Sequence, residues 1–230
     1  MAGHVLKEKT ITRHRVTTLL AHWLTALSTF VLLFTGFGQM PMYKRYMVDS
    51  IPGLGWSSNY AVTLQLHYAA AMVLVFAAIF HLVFHGSRRE FSILPRRGDV
   101  KESYQIVMSM LGRCQAPPCD KYLAEQRLAY AYIAGTLMLL IVTGMFKVVK
   151  NMAGVNMPDS WLNLATNLHN AGTVLLILGI LGHLAAFIFK ENRSLLPAMF
   201  TGKVDAEYAR ERHRLWYQKV SKKHQKSISL

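Results

Sequence analysis

Four stretches of the chain, at about 17–40, 61–85, 128–149 and 162–189, are apolar almost without interruption. Each is about 20 residues or longer, the length a helix needs to cross a hydrocarbon core of about 30 Å. A helix that is apolar all round is one surrounded by lipid or by other helices rather than by water. The pattern therefore predicts an all-α integral membrane protein with four transmembrane helices, a single domain over residues 1–220 and a basic tail at 221–230. The first stretch follows basic residues, as a secretory signal does. It is longer than a signal core and runs into "GFGQMPMYKRYM" with no small-x-small cleavage site, so it reads as a retained span.

Composition sharpens this reading. The chain is 52% hydrophobic and 17% charged, too apolar for a soluble core under a charged surface. Of its 26 Lys and Arg residues, 22 lie before the first span, between the second and third, or after the fourth. The positive-inside rule then places both termini and the middle loop in the cytoplasm. Most of the net charge of +14 is this asymmetry. Contact with anionic lipid accounts for it, and no nucleic-acid partner is expected. The two cysteines, Cys114 and Cys119 in "GRCQAPPCDKY", are too few for a four-ligand zinc or iron-sulfur site, and they fall on the reducing side. No C-x-x-C-H is present for covalent haem attachment.

The candidate chemistry lies with histidine. His4, His14, His213 and His224 fall outside the spans, where a hydrated surface position is expected, and His85 sits at the membrane edge. His22, His67, His81, His169 and His183 fall inside. His169 and His183 are 14 residues apart, about 21 Å of rise and about 40° short of four turns, so both leave one helix face at two depths. His67 and His81 repeat the spacing in the second span, which runs in the same direction. His67 then matches His169 in an outer layer, while His22, His81 and His183 share an inner one. Paired imidazoles from facing helices are what a six-coordinate haem iron requires, so two layers predict two haems b in a di-haem cytochrome b bundle. Gly36, Gly135, Gly144, Gly172, Gly179 and Gly182 supply small residues beside such a cleft. Opposite His183, His22 and His81 compete, and periodicity leaves the choice open. Proton relay in a transporter is the other use of buried histidines, weakened by the lack of Asp or Glu in the four windows.

The residues also resemble a known family, the γ subunit of membrane-bound respiratory formate dehydrogenases. The resemblance runs over about residues 11–220. It rests on "AHWL" in the first span, "LH" opening the second, "KY-LAEQR" before the third, "VTG" within it, the pair His169/His183, and "GKVDAEYARERHRLWYQKV" after the fourth. It implies that His67 and His169 ligate the outer haem and His22 and His183 the inner one, with His81 as the alternative to His22. It further implies a menaquinone or ubiquinone pocket beside the inner haem, bordered by His183, Leu123, Glu125 and Gln126. Here the sequence departs from the family, which has Asn and Gly at the positions of Leu123 and Glu125; Glu125 is thereby a candidate proton donor.

As partners the resemblance implies an iron-sulfur β subunit and a molybdenum or tungsten catalytic α subunit on the external face, in a trimer of heterotrimers. The location it implies is a bacterial or archaeal cytoplasmic (inner) membrane. The chain itself carries no molybdenum-site signature and no four-Cys cluster, so the substrate is expected to be oxidised elsewhere. Electrons would enter at the outer layer and leave to quinone at the inner one. The alternatives are the cytochrome b subunit of an uptake hydrogenase or thiosulfate-type reductase and, in a different class, a haem-free transporter or anchor.

Overall fold

The computed structural model describes residues 9–115 and 117–228. Its contacts gather into two compact units, Val16–Arg89 and Met1–Arg15 with Glu90–Leu230. The expectations for His4 and for the side chains of the basic tail from 223 onward fall outside the described residues.

In the Val16–Arg89 unit two helices pack antiparallel: α1 (Val16–Gly38) and α3 (Tyr60–Ser87). Between them lie a short helix, α2 (Pro41–Arg45), and two 3-10 turns at Val48–Ser50 and Gly55–Ser58. The connection folds tightly onto the end of α1, where a Cβ on Gly38 would collide with the Ser57 carbonyl oxygen. Tyr43 Oη and Ser57 Oγ share a hydrogen bond of 2.7 Å that pins the loop. Asn59 starts α3 by accepting the N–H groups of Ala61 and Val62 on its side-chain oxygen. The buried positions are small or hydroxylic apart from Leu74: Ala21, Ser28, Thr29 and Thr35 of α1, and Thr63, Ala70 and Ala77 of α3. Ser28 and Thr35 donate their hydroxyls back to the carbonyls of Leu24 and Val31, so these polar groups are satisfied without water. Phe30, Phe76, Leu82 and Val83 point outward.

In the other unit α5 (Ala124–Val149) and α6 (Asp159–Ala185) form a second hairpin, and a 3-10 turn extends α6 to Ile188. Gly172 lies against Leu139 and Leu140, and Gly179 against the Tyr132 ring, whose hydroxyl donates to the Leu175 carbonyl at 2.8 Å. Helix α5 begins about four residues earlier than the hydrophobic run predicts. Gln126 Oε1 caps the Leu123 N–H at 3.2 Å, and the charged start of the helix is held from the side by α4 (Asp99–Met110). There Arg127, 3% exposed, pairs with Asp99, 2% exposed, through Nε–Oδ2 at 2.8 Å and Nη2–Oδ1 at 2.6 Å. Glu102 Oε2 stands 3.2 Å from the same guanidinium. That guanidinium holds the Asp99 carboxyl below the usual carboxylate range.

The rest of this unit closes over the ends of the hairpin. Short helices α7 (Lys190–Arg193) and α8 (Ala198–Thr201) lead into β2 (Lys203–Asp205), which pairs antiparallel with β1 (Thr10–Thr12), Ile11 opposite Val204. Helices α9 (Ala206–Arg212) and α10 (Arg214–Ile228) follow. Ile11, Ala198, Val204, Ala209 and Trp216 make a small core. Arg13 threads it with its guanidinium over the rings of Tyr122 and Trp216, 5.5 Å from each, and Nη2 donates to the Lys121 carbonyl at 2.5 Å. One surface expectation is corrected here: His213 is fully buried, because α9 turns into α10 at this residue and Nδ1 donates to the Asp120 carbonyl at 2.8 Å.

The four helices Val16–Gly38, Tyr60–Ser87, Ala124–Val149 and Asp159–Ile188 are long and apolar enough to cross a membrane. In none does more than 22% of the most apolar window lie buried within the protein, which leaves broad apolar faces for lipid and cofactor.

Candidate haem-ligating site

In the Val16–Arg89 unit His67 lies one turn beyond the start of the buried stripe of α3. Its Nδ1 is 2.9 Å from Oγ1 of Thr35, a residue with no solvent exposure. The same hydroxyl is 2.7 Å from the Val31 carbonyl, four residues back in its own helix. A hydroxyl has one proton, and a carbonyl can only accept it. With that proton on the Val31 carbonyl the oxygen accepts from His67, which puts the imidazole proton on Nδ1 and the lone pair on Nε2; with it turned toward the ring the roles are reversed. The next residue, Gly36, faces the ring itself: a Cβ there would sit 3.6 Å from His67 Cε1.

The α5–α6 hairpin has the same arrangement. Thr143 Oγ1 donates to the Leu139 carbonyl at 2.7 Å and stands 2.9 Å from His169 Nδ1, while a Cβ on Gly144 would lie 3.5 Å from His169 Cε1. Thr-Gly in the first helix of a hairpin facing His in the second thus occurs twice. The sequence reading used "VTG" only as a mark of resemblance and missed both threonines. Within the spans the dipeptide recurs at Thr35-Gly36 and Thr143-Gly144, 32 and 26 residues before the histidine each threonine meets, so aligning the two 14-residue His spacings does not superpose the two copies.

Within the first hairpin, His22 lies near the start of α1 and His81 toward the end of α3, at the end opposite His67. The ring of His22 meets Trp23 edge-on at 5.5 Å; that of His81 is 4.5 Å from His85; that of His183 meets Phe187 at 6.3 Å. His81 and His85 thus form an imidazole pair that the sequence reading had separated into a span residue and an edge residue.

The segment before the third span is tightly built. Leu123 is fully buried among Ile106, Cys119 and Ala124. Gln126 Oε1 caps α5 and receives Arg13 Nη2 at 3.4 Å. Both carboxylate oxygens of Glu125 are buried with no hydrogen-bond partner among the described residues. So are Tyr208 Oη, Arg212 Nε and Nη2, and His213 Nε2. The Glu125 and Arg212 charges both act on the Cys119 thiol and the Tyr208 phenol.

No group of three or more His, Cys, Asp or Glu gathers as a metal site among the described residues. A haem iron asks less of the protein, since the macrocycle fills four positions and two neutral imidazoles complete the axis. His67 and His169 each meet a threonine hydroxyl at Nδ1, and Nε2 is the nitrogen that this bond does not engage.

The family of prokaryotic cytochrome b561 matches residues 13–202. The chain belongs to that family. Two relatives carry a more specific description. The cytochrome b556 subunit of formate dehydrogenase from Haemophilus influenzae is 22% identical over 213 residues, covering 90% of this chain and 82% of that protein. The cytochrome b556 subunit of the nitrate-inducible formate dehydrogenase from Escherichia coli K12 is 24% identical over 225 residues, 97% of each chain. This cytochrome b is a four-span membrane protein, as the hydrophobic pattern predicted, and a cytochrome b carries haem b. The haem-free transporter or anchor is set aside.

Proposed function

We propose that this cytochrome b is the membrane subunit of a formate dehydrogenase and delivers electrons to quinone. The observation that carries the reading is similarity over 97% of the chain to a protein described as such a subunit. The recurrent threonine-bound histidines support it. His67 and His169 are the ligands assigned to the outer haem and His22 and His183 to the inner one, with His81 the alternative to His22. Held there, two b haems would supply a one-electron relay across the bilayer, and each charge moved inward against 100 mV conserves about 2.3 kcal/mol.

The chain's own residues do the rest. Neutral imidazoles present lone pairs without bringing charge into hydrocarbon. On the cytoplasmic side His183, Glu125 and Gln126 border the quinone site, with Leu123 shaping the loop beneath them from the core. Glu125, whose carboxylate oxygens have no hydrogen-bond partner among the described residues, is the group assigned to hold the proton that a reduced quinone takes up. The basic flanks keep both termini cytoplasmic. On the external face the partners are an iron-sulfur subunit and a molybdenum or tungsten catalytic subunit, in a trimer of heterotrimers in the inner membrane.

A pyridine haemochrome assay tests the reading on the complex purified with its accompanying subunits, wild type beside His22→Ala and His81→Ala. The expected result is two b haems per chain in the wild type, with one lost in His22→Ala and none in His81→Ala. Loss in His81→Ala alone would move the inner ligand to the second span. A hydrogenase or a thiosulfate-type reductase copurifying in place of formate-oxidising activity would overturn the choice of partner.

A further inference from the structure

The two Thr–His contacts do more than satisfy a half-buried ring. We infer that Thr35 and Thr143 are positioning residues that fix the tautomer, the ring plane and the basicity of the outer-layer imidazoles, and so set the reduction potential of the haem those imidazoles hold. The inference rests on the assignment of His67 and His169 as its ligands.

Both threonines are buried, and each donates its only proton to a carbonyl four residues back at 2.7 Å. The helix therefore pre-aims the oxygen lone pair. Each histidine meets that lone pair with Nδ1 at 2.9 Å, within normal hydrogen-bond range. Rotating either ring about its Cβ–Cγ bond would break this bond and leave the threonine oxygen without the imidazole. With the proton on Nδ1, Nε2 is the atom that carries the lone pair.

A histidine that donates its second N–H to an acceptor is a more basic ligand than one that does not. Greater basicity favours the ferric over the ferrous state and lowers the potential. A threonine hydroxyl is a neutral acceptor, weaker than the carboxylates that often occupy this place, so the histidine gains donor strength and no charge enters the apolar layer. Gly36 and Gly144 each follow their threonine and lie beside Cε1, the carbon between the two ring nitrogens, where a Cβ would make ordinary van der Waals contact. The same three-residue arrangement arises in hairpins whose threonine and histidine are 32 and 26 residues apart, so it does not follow from loop length.

The test is a redox titration of the purified complex followed by haem absorbance, with electron paramagnetic resonance of the oxidised form, for wild type, Thr35→Val, Thr35→Ser, Thr143→Val and Thr143→Ser. Valine keeps the shape and removes the acceptor; serine restores the acceptor without the methyl group. The expected result is an upward shift in the midpoint potential of one haem and a changed low-spin g value in each valine variant, both reversed in the serine variant, with the second haem unmoved. Loss of one haem in a valine variant and its retention in the serine variant would also bear the inference out. Two haems with unchanged potentials and g values in the valine variants would overturn it and leave the ligand assignment standing. Haem loss in the serine variants would overturn it too, since the methyl group would then be what matters. A wild type without haem would overturn the ligand assignment itself, and this inference with it.

Discussion

Lowering the pH from 7.5 toward 4 should loosen the packing around α9 and α10 through one residue, His213. Its side chain has 0% exposure, Nδ1 donates to the Asp120 carbonyl, and Nε2 is buried without a hydrogen-bond partner among the described residues. A second proton would have to sit on that Nε2. Burial first, then the nearby Arg13 and Arg212 guanidinium groups, push the imidazole down to about 4, against the opposing effect of its bond to Asp120. Unfolded, the ring titrates near 6.5. Between those values the unfolded chain binds the extra proton and the folded one does not. Stability is therefore fully present above about 6.5, falls as the pH drops toward 4, and is flat below that for this group. A separation of about 2.5 units at 1.36 kcal/mol each amounts to about 3 kcal/mol. The depressed carboxyl of Asp99 loses its contribution only below the ordinary carboxylate range, outside this window. The measurement is hydrogen exchange of the α9 and α10 amides at intervals from pH 7.5 to 4, corrected for intrinsic rates, in wild type and His213→Asn, whose amide can still donate to the Asp120 carbonyl. Wild type should lose protection by about two orders of magnitude across the window and His213→Asn should not. Equal pH slopes in the two proteins would refute the reasoning.

Two further outcomes follow from the second unit. Asp99→Ala leaves the Arg127 guanidinium buried with Glu102 and the Tyr122 carbonyl as its remaining partners among the described residues and should cost about 3 kcal/mol, whereas Asp99→Leu with Arg127→Met, which removes both charges, should recover most of it; thermal unfolding in detergent micelles reads the difference. At pH 7.5 a thiol alkylating reagent should modify exposed Cys114 within minutes and leave Cys119 intact until the protein is denatured, because burial pushes the Cys119 thiol up to about 11; peptide mass spectrometry counts the labels.

The spans were legible because nothing but length and apolarity is needed to mark them, and the ends of α1, α3 and α6 fall within a few residues of the hydrophobic runs. The start of α5 was not, since Glu125 and Arg127 look like loop residues until Asp99 of α4 is seen to pair with one of them. Strands β1 and β2 are three residues each and lie almost the whole chain apart, and no local pattern announces a pairing of that kind. His213 was misplaced for the same reason: beside nearby Trp216, it depends on Arg13 and Asp120, both far from it in the chain. The histidine spacing was visible at once. The threonines beside it were not, because a hydroxyl inside an apolar helix is usually silent, tied to its own backbone, and only the facing ring gives it a role.

The β1–β2 ladder has a consequence for how the protein is made. Thr10 leaves the ribosome long before its partner Asp205, and all four spans must be threaded between the two events. The strands can meet only if an even number of crossings separates them. A chain that skips or inverts one span strands its ends on opposite sides of the bilayer, with Ile11, Val204 and Trp216 left uncovered. Closing the ladder is thus a molecular check on the parity of insertion, completed only when an even number of crossings lies between the strands.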